Sequence, residues 1–264
     1  SRRMDEALRE GVAAIAQRAS AAILAVYEGE FAVQHKDDRS PLTAADLAAH
    51  RCIVEGLQAL TPGIPVLSEE SAAIDIAERR GWRRLWLVDP LDGTREFVKR
   101  NGEFCINIAL IEDGAAVFGL IQQPVTGVLW YGAPGQGAFR RAGADAQPIR
   151  ARQPAVSPLR IAASRSHRDA RTQALLGALR GSEVVGCGSA LKFCRIAEGA
   201  IDLYPRFGPT SEWDTAAGQA IVEAAGGAVL DARGRVLRYN QRDTLLNGDF
   251  IAVGDPALPA RLPA

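Results

Sequence analysis

Lysine is nearly missing from this chain: only Lys36, Lys99 and Lys192 occur, and arginine carries almost all the positive charge. Where arginine substitutes so freely, a remaining lysine marks either a place that needs a compact ammonium or a chance survivor. There is no excess of either sign, because 31 basic and 31 acidic side chains leave a formal net charge of +0. A protein that tracks a nucleic-acid backbone carries a basic excess. A nucleic-acid polymer is therefore not an expected partner, whereas a small anion needs only a local positive cluster. Cysteine is scarce. Cys52, Cys105, Cys187 and Cys194 form no C-x-x-C pair, so neither a stapled scaffold nor a zinc or redox pattern is indicated. Reduced thiols in a cytoplasmic protein are expected, with Cys105 and Cys194 in the core. Long hydrophobic runs are absent as well. The first apolar stretch, Val12 to Tyr27, is broken by Gln17 and Arg18, so no secretory signal, membrane span or membrane anchor is expected.

What is present is enough apolar material for a sizeable core, 47% of 264 residues, in one large domain or two closely packed ones. Leu8, Val12, Ile15, Ala19 and Ile23 recur at helical steps and suit either the core or a dimer face. A second helix is predicted from a Thr43 cap, with Leu47, His50, Val54 and Leu57 on one face. Short strands are predicted at Ile64–Leu67, at Arg84–Val88 stopping at Asp89-Pro90, and at Asn107–Ile111, followed by a meander through Val117–Gln122 and Val128–Tyr131. Gly135 and Gly137 read as turns. The polar, Pro-bearing stretch Gly143–Pro158 reads as a boundary between residues 1–156 and 157–264. Beyond it, strands and helices alternate: Arg160–Ala163, Arg171–Leu179, Glu183–Val185, Ala190–Gly199, Ile201–Pro205 and Asp214–Ala225. The fold class expected is layered α/β, with an α+β N-terminal half.

The chemistry concentrates in Trp86-Leu-Val-Asp89-Pro90-Leu91-Asp92-Gly93-Thr94. A buried strand ends in two carboxylates three residues apart. Crowding them is costly unless a cation lies between, and magnesium is held by a few carboxylates together with a substrate phosphate. The N–H groups of Gly93 and Thr94 are suited to phosphate oxygens. Glu69-Glu70 follows a short apolar strand, Asp214 opens a helix and Asp46 stands near the start of another. Singly, each reads as an exposed loop pair or a helix-start acid. Four acidic elements at element ends form a pattern that folding alone does not need.

The segments Asp-Pro-Leu-Asp-Gly-Thr (89–94) and Trp-Asp-Thr-Ala-Ala-Gly (213–218) resemble the two signatures of the inositol monophosphatase superfamily of metal-dependent phosphatases, in the expected order and over nearly the whole chain. Arg95-Glu96-Phe97, Ser164-Arg165-Ser166-His167, Gly188-Ser189-Ala190-Leu191-Lys192 and Leu203-Tyr204-Pro205-Arg206 are similar to the bacterial 3′(2′),5′-bisphosphate nucleotidase branch. The resemblance implies an α-β-α-β-α layered sandwich and two or three Mg2+ ions. It implies metal ligation by Glu69, Asp89, Asp92, Asp214 and the Leu91 carbonyl, and a Thr94–Asp46 pair that orients the attacking water, with Glu69 also catalytic. Gly93 and Thr94 would hold the scissile phosphate, with Asp214 also on the substrate. Ser68 stands where the family often has glycine. The implied substrate is adenosine 3′,5′-bisphosphate, hydrolysed to AMP and phosphate by direct water attack. Its second phosphate needs cations, for which Lys192 and Arg206 are the candidates, with Ser189 as a donor. His167 is placed to pack on adenine, with Arg165 nearby, and Lys36 near the metals. Lys192 also reads as a solvated charge, His167 as a loop residue and Arg206 as half of a buried ion pair. The alternative activities are an inositol or sugar phosphatase and, in another class, a non-catalytic metal and nucleotide sensor, against which intact Asp46, Thr94 and Glu69 speak.

Overall fold

The computed structural model describes residues 4–29, 40–71, 73–163 and 168–263. The chain opens with two long helices, α1 (Glu6–Tyr27) and α2 (Pro41–Leu60). The cap of α2 is Ser40 rather than Thr43: Ser40 Oγ accepts from Thr43 N at 3.1 Å, and Pro41 takes the first turn, where its missing N–H costs nothing. The buried stripe of α2 is Ala45, Ala49, Ile53 and Leu57. Two alanines let α1 approach closely, and α1 spends its own stripe, Val12, Ile15, Ala16, Ala19 and Ile23, on this core.

Seven strands then build one sheet in sequence order: β1 (Val66–Ser68), β2 (Arg84–Asp92), β3 (Cys105–Glu112), β4 (Ala115–Gln122), β5 (Leu129–Ala133), β6 (Gly137–Ala142) and β7 (Asp145–Ile149). β1 is parallel to β2, and the rest form an antiparallel meander. The central strands are apolar at nearly every position because both faces are covered. Trp86, Val88, Ile106 and Ile108 point to α1 and α2, while Leu85, Leu87, Cys105 and Ala109 point the other way.

A second sheet of five strands, in the order β12-β14-β10-β8-β9, comes from β8 (Arg160–Ala163), β9 (Glu183–Gly186), β10 (Leu203–Arg206), β12 (Ala228–Asp231) and β14 (Phe250–Val253). Strands β8, β9 and β10 are parallel, joined by α5 (Ala170–Ala178) and α6 (Leu191–Ala197). Two short helices, α3 (Ile76–Arg80) and α4 (Thr94–Lys99), lie within the first sheet's connections. β11 (Thr210–Ser211) and β13 (Leu246–Asn247) pair separately. Between the sheets runs α7 (Glu212–Ala224), whose Ala216, Ala217 and Ala220 share a core with Ala109, Trp130, Phe250 and Ala252. A Cβ on Gly119 would come within 2.2 Å of the Ala217 carbonyl oxygen, so glycine there sets how closely α7 lies on the first sheet. On the outer face of the second sheet, Ile161, Leu203 and Val253 are covered by Leu175, Leu176 and Leu258. The layers therefore run α-β-α-β-α. Among the described residues no helix is long and apolar enough to cross a membrane.

Candidate active site

The two sequence-flagged acids of β2 lie inside the strand, not beyond it. Pairing continues through Asp89↔Asn107 to Asp92↔Cys105, with a bulge between them. Pro90 falls in that bulge, where no ladder donor is required. Gly93 follows with φ 90°. A Cβ there would stand 3.0 Å from Ser189 Cβ and 3.2 Å from the Glu103 carbonyl oxygen, so glycine is demanded twice, by conformation and by space. Thr94 then begins α4.

Asp214 enters from the first turn of α7. It is not the cap itself: Ser211 caps, and Asp214 returns an oxygen to Ser211 N at 2.8 Å, a capping box. One carboxylate oxygen each of Asp89, Asp92 and Asp214 lies within 4.8 Å of the others, and the same holds for a second group, Asp46, Glu69 and Glu70. Glu69 and Glu70 form a tight turn after β1, and Asp46 stands in the second turn of α2. Ser68, in place of the family's frequent glycine, is buried and shares a 2.9 Å hydrogen bond with His50 Nδ1, which ties this turn to α2.

Crowding shows in the proton affinities. Burial, then the charges of Asp92 and Asp214, push Asp89 well up. Asp92 is pushed to about 7 by burial and Asp214, against the Ala190 N–H, Asn107 and Lys192, which favour its anion. Asp46 is pushed to about 8 by burial and by Glu70 and Glu69. Burial, Asp214 and Glu70 likewise raise Glu69. Asp46 Oδ1 is buried without a hydrogen-bond partner. Two all-oxygen groups that resist ionisation together, one holding an orphaned acceptor, fit hard divalent cations. The family resemblance implies a pairing of Asp46 with Thr94. The structure sets Asp46 against Glu70, and among the described residues no direct hydrogen bond joins Asp46 to Thr94.

A cavity of about 470 Å3 opens beside these acids, and Asp92, Gly93, Thr94, Ser189, Lys192, Arg206 and Asp214 all line it. Lys192 is only 6% exposed; its ammonium lies 5.0 Å from the Tyr204 ring centroid and 3.5 Å from the Ser189 carbonyl oxygen. Neither Lys192 nor Arg206 has an ion-pair partner among the described residues. Its burial sets Lys192 apart from a solvated charge, and Arg206 forms no ion pair with a described residue. Leu91 is buried within the bulge. Lys36, Arg165 and His167 lie outside the described residues.

Several contributors escaped sequence reasoning. Asn107 donates to Asp92 Oδ2 at 3.3 Å and to the Trp213 carbonyl at 3.4 Å, tying β3 to both signature segments. Its position opposite Asp89 depends on register, which the sequence does not mark. The Ala190 N–H reaches Asp92 Oδ2 at 2.7 Å, a backbone contact with no side-chain signal. Glu70 was visible only as half of an acidic pair. Trp86 is buried and donates its indole N–H to Thr61 Oγ1 at 2.9 Å, tying β2 to the end of α2. All four cysteines are free, with Cys105, Cys187 and Cys194 buried.

Residues 4–262 match the inositol monophosphatase family. The chain is 49% identical to the 3′(2′),5′-bisphosphate nucleotidase CysQ of Salmonella typhimurium, covering 91% of this chain and 97% of that protein. It is 35% identical to the CysQ of Haemophilus influenzae, covering 98% and 97%. Among solved structures, CysQ from Bacteroides thetaiotaomicron superposes with a TM-score of 0.84 at 41% identity, covering 93% and 97% of the two chains. An inositol monophosphatase from Zymomonas mobilis gives 0.77 at 28% identity, covering 97% of each.

Proposed function

Because the chain belongs to the inositol monophosphatase family, we propose that it is a Mg2+-dependent 3′(2′),5′-bisphosphate nucleotidase that hydrolyses adenosine 3′,5′-bisphosphate to AMP and phosphate. The observation that carries this reading is one cavity lined both by Asp92 and Asp214 of a carboxylate group and by Lys192 and Arg206, two cations with no ion-pair partner among the described residues. A simple monophosphate uses only the first. A bisphosphate uses both, and relatives at up to 49% identity bear the nucleotidase name.

In this reading Asp89, Asp92, Asp214 and the Leu91 carbonyl hold one part of the metal set, and Glu69 links it to the group with Asp46 and Glu70, for two or three Mg2+ in all. When bound, the cations neutralise the phosphate ester and make water a better nucleophile. Gly93 and Thr94 N–H groups hold the phosphoryl oxygens in line for attack. The Thr94 hydroxyl and Asp46 orient the water, whose oxygen bonds to phosphorus as the bond to the ribose 3′ oxygen breaks. Lys192, Arg206 and Ser189 hold the 5′-phosphate, and Arg165 and His167 are assigned to the nucleoside end. Residues 1–156 supply most of the cation ligands and 157–264 the second-phosphate contacts, with Asp214 reaching across. Free, mostly buried thiols suit a reducing compartment, the cytoplasm.

Phosphate release from adenosine 3′,5′-bisphosphate, beside inositol 1-phosphate, with and without Mg2+, tests the proposal. Mg2+-dependent release favouring the nucleotide is expected. A preference for inositol phosphate would keep the metal chemistry and overturn the substrate. Nucleotide binding without release would make the protein a sensor.

A further inference from the structure

Phe207 directly follows β10 and forms part of the wall of two cavities: the catalytic one, and a neighbour of about 540 Å3. Arg171, in the first turn of α5, and Asp249, just before β14, line only the neighbour. The Arg171 Cζ lies 4.3 Å from the Phe207 ring centroid. Asp249 uses both its oxygens, one accepting from Arg171 Nη1 and the other from Gly208 N at 2.9 Å. Gly208 has φ 126°, a conformation that side-chain-bearing residues rarely adopt. A planar guanidinium thus backs the ring, and one carboxylate fixes both that guanidinium and the backbone beside the ring. As an ion pair the contact is half solvated and contributes little to stability. Its geometry matters more, because it holds a single aromatic ring in a set place.

Phe207 also lines the catalytic cavity beside Asp92, Lys192, Arg206 and Asp214, and the other aromatic residues of that lining, Phe193, Tyr204 and Phe250, are buried and packed on one another. Phosphates have no use for an aromatic face, whereas a planar heterocycle stacks on one. We infer that Phe207 is the platform on which the substrate's nucleobase stacks, and that Arg171 and Asp249 are positioning residues that hold the ring in place. This inference rests on the nucleotidase reading above.

The test compares adenosine 3′,5′-bisphosphate with the abasic 3,5-bisphosphorylated ribose, both with Mg2+. Phe207→Ala is expected to raise KM for the nucleotide about tenfold, with little change in kcat, and to leave KM for the abasic analogue unchanged. Phe207→Tyr restores the nucleotide KM. Asp249→Ala raises that KM by a smaller factor and adds nothing in the Phe207→Ala background, because it acts only through the ring. Calorimetric binding of AMP follows the same order without turnover. Equal KM increases on both substrates, or no increase on the nucleotide, would overturn the platform. A wild-type enzyme that treats nucleotide and abasic bisphosphate alike would overturn the platform and leave the bisphosphatase reading standing. Hydrolysis of neither would remove both.

Discussion

Asp92 stands where the demands on a single carboxylate meet. Asp89 and Asp214 crowd it, while the Ala190 N–H, Asn107 and Lys192 favour its charge. Asp92→Asn is expected to lower turnover by more than about 100-fold, since even outer contacts of a metal site cost 10–100-fold. The same change removes one of the crowded negative charges, so the cation-free variant should melt higher than the cation-free wild type. Thermal melts in EDTA check this. Asn107→Leu leaves the proposed cation ligands in place but deprives Asp92 of a donor. It should raise the Mg2+ concentration for half-maximal activity about tenfold, read from a Mg2+ titration. Lys192→Ala should weaken the bisphosphate far more than a monophosphate, and equal losses would remove Lys192 from the second-phosphate site. Asp89, Asp92 and Asp214 were legible because two signature segments spell them out. The partners of Asp46 were not, because the turn that brings Glu70 to it depends on how β1 ends, and Asn107 is an ordinary strand residue until its register is known.

The helix α7 brings Asp214 to the site, and its position is set by small residues. Gly119 leaves no room for a methyl group under Ala217, and a Cβ on Gly218 would come 2.3 Å from the Phe193 ring. Gly119→Ala should therefore push α7 off the sheet. A loss of roughly 1–3 kcal/mol is expected for such overpacking, with a weaker Mg2+ response because Asp214 moves with the helix. A melt and a Mg2+ titration on one preparation measure both. The buried strands and the alternating helices of the second half were readable from apolar runs. β6 and β7 were not: Gly135 and Gly137 read as turns, and β7 is an exposed edge strand with no face to bury. β2 runs past Pro90 because a bulge absorbs the proline, and Ser40 rather than Thr43 caps α2 because Pro41 starts it.

Taken together, the two acidic groups should make the stability of the fold depend on bound cations. In the cation-free protein, burial and mutual repulsion hold Asp46 at about 8 and Asp92 at about 7, against 3.8 for an ordinary aspartate. Between those limits the folded chain binds more protons than the unfolded one, so stability falls as pH rises. The penalty is absent below the ordinary value and complete above about 8. The melting temperature in EDTA should therefore drop from pH 5 to about 8.5, and the gain on adding Mg2+ should grow over the same range. A gain independent of pH would detach the cations from these carboxylates. The layered fold and the acids followed from sequence pattern and family resemblance, but the meeting of Lys192, Arg206 and Asp214 around one cavity needed the three-dimensional arrangement of α6, β10 and α7. Anomalous scattering from crystals soaked in Mn2+ with AMP locates the cations outright. Peaks among Asp89, Asp92 and Asp214 and beside Asp46, Glu69 and Glu70 are expected. An enzyme active with Mn2+ whose crystals show peaks at neither group would contradict the assignment of these acids as the metal centre.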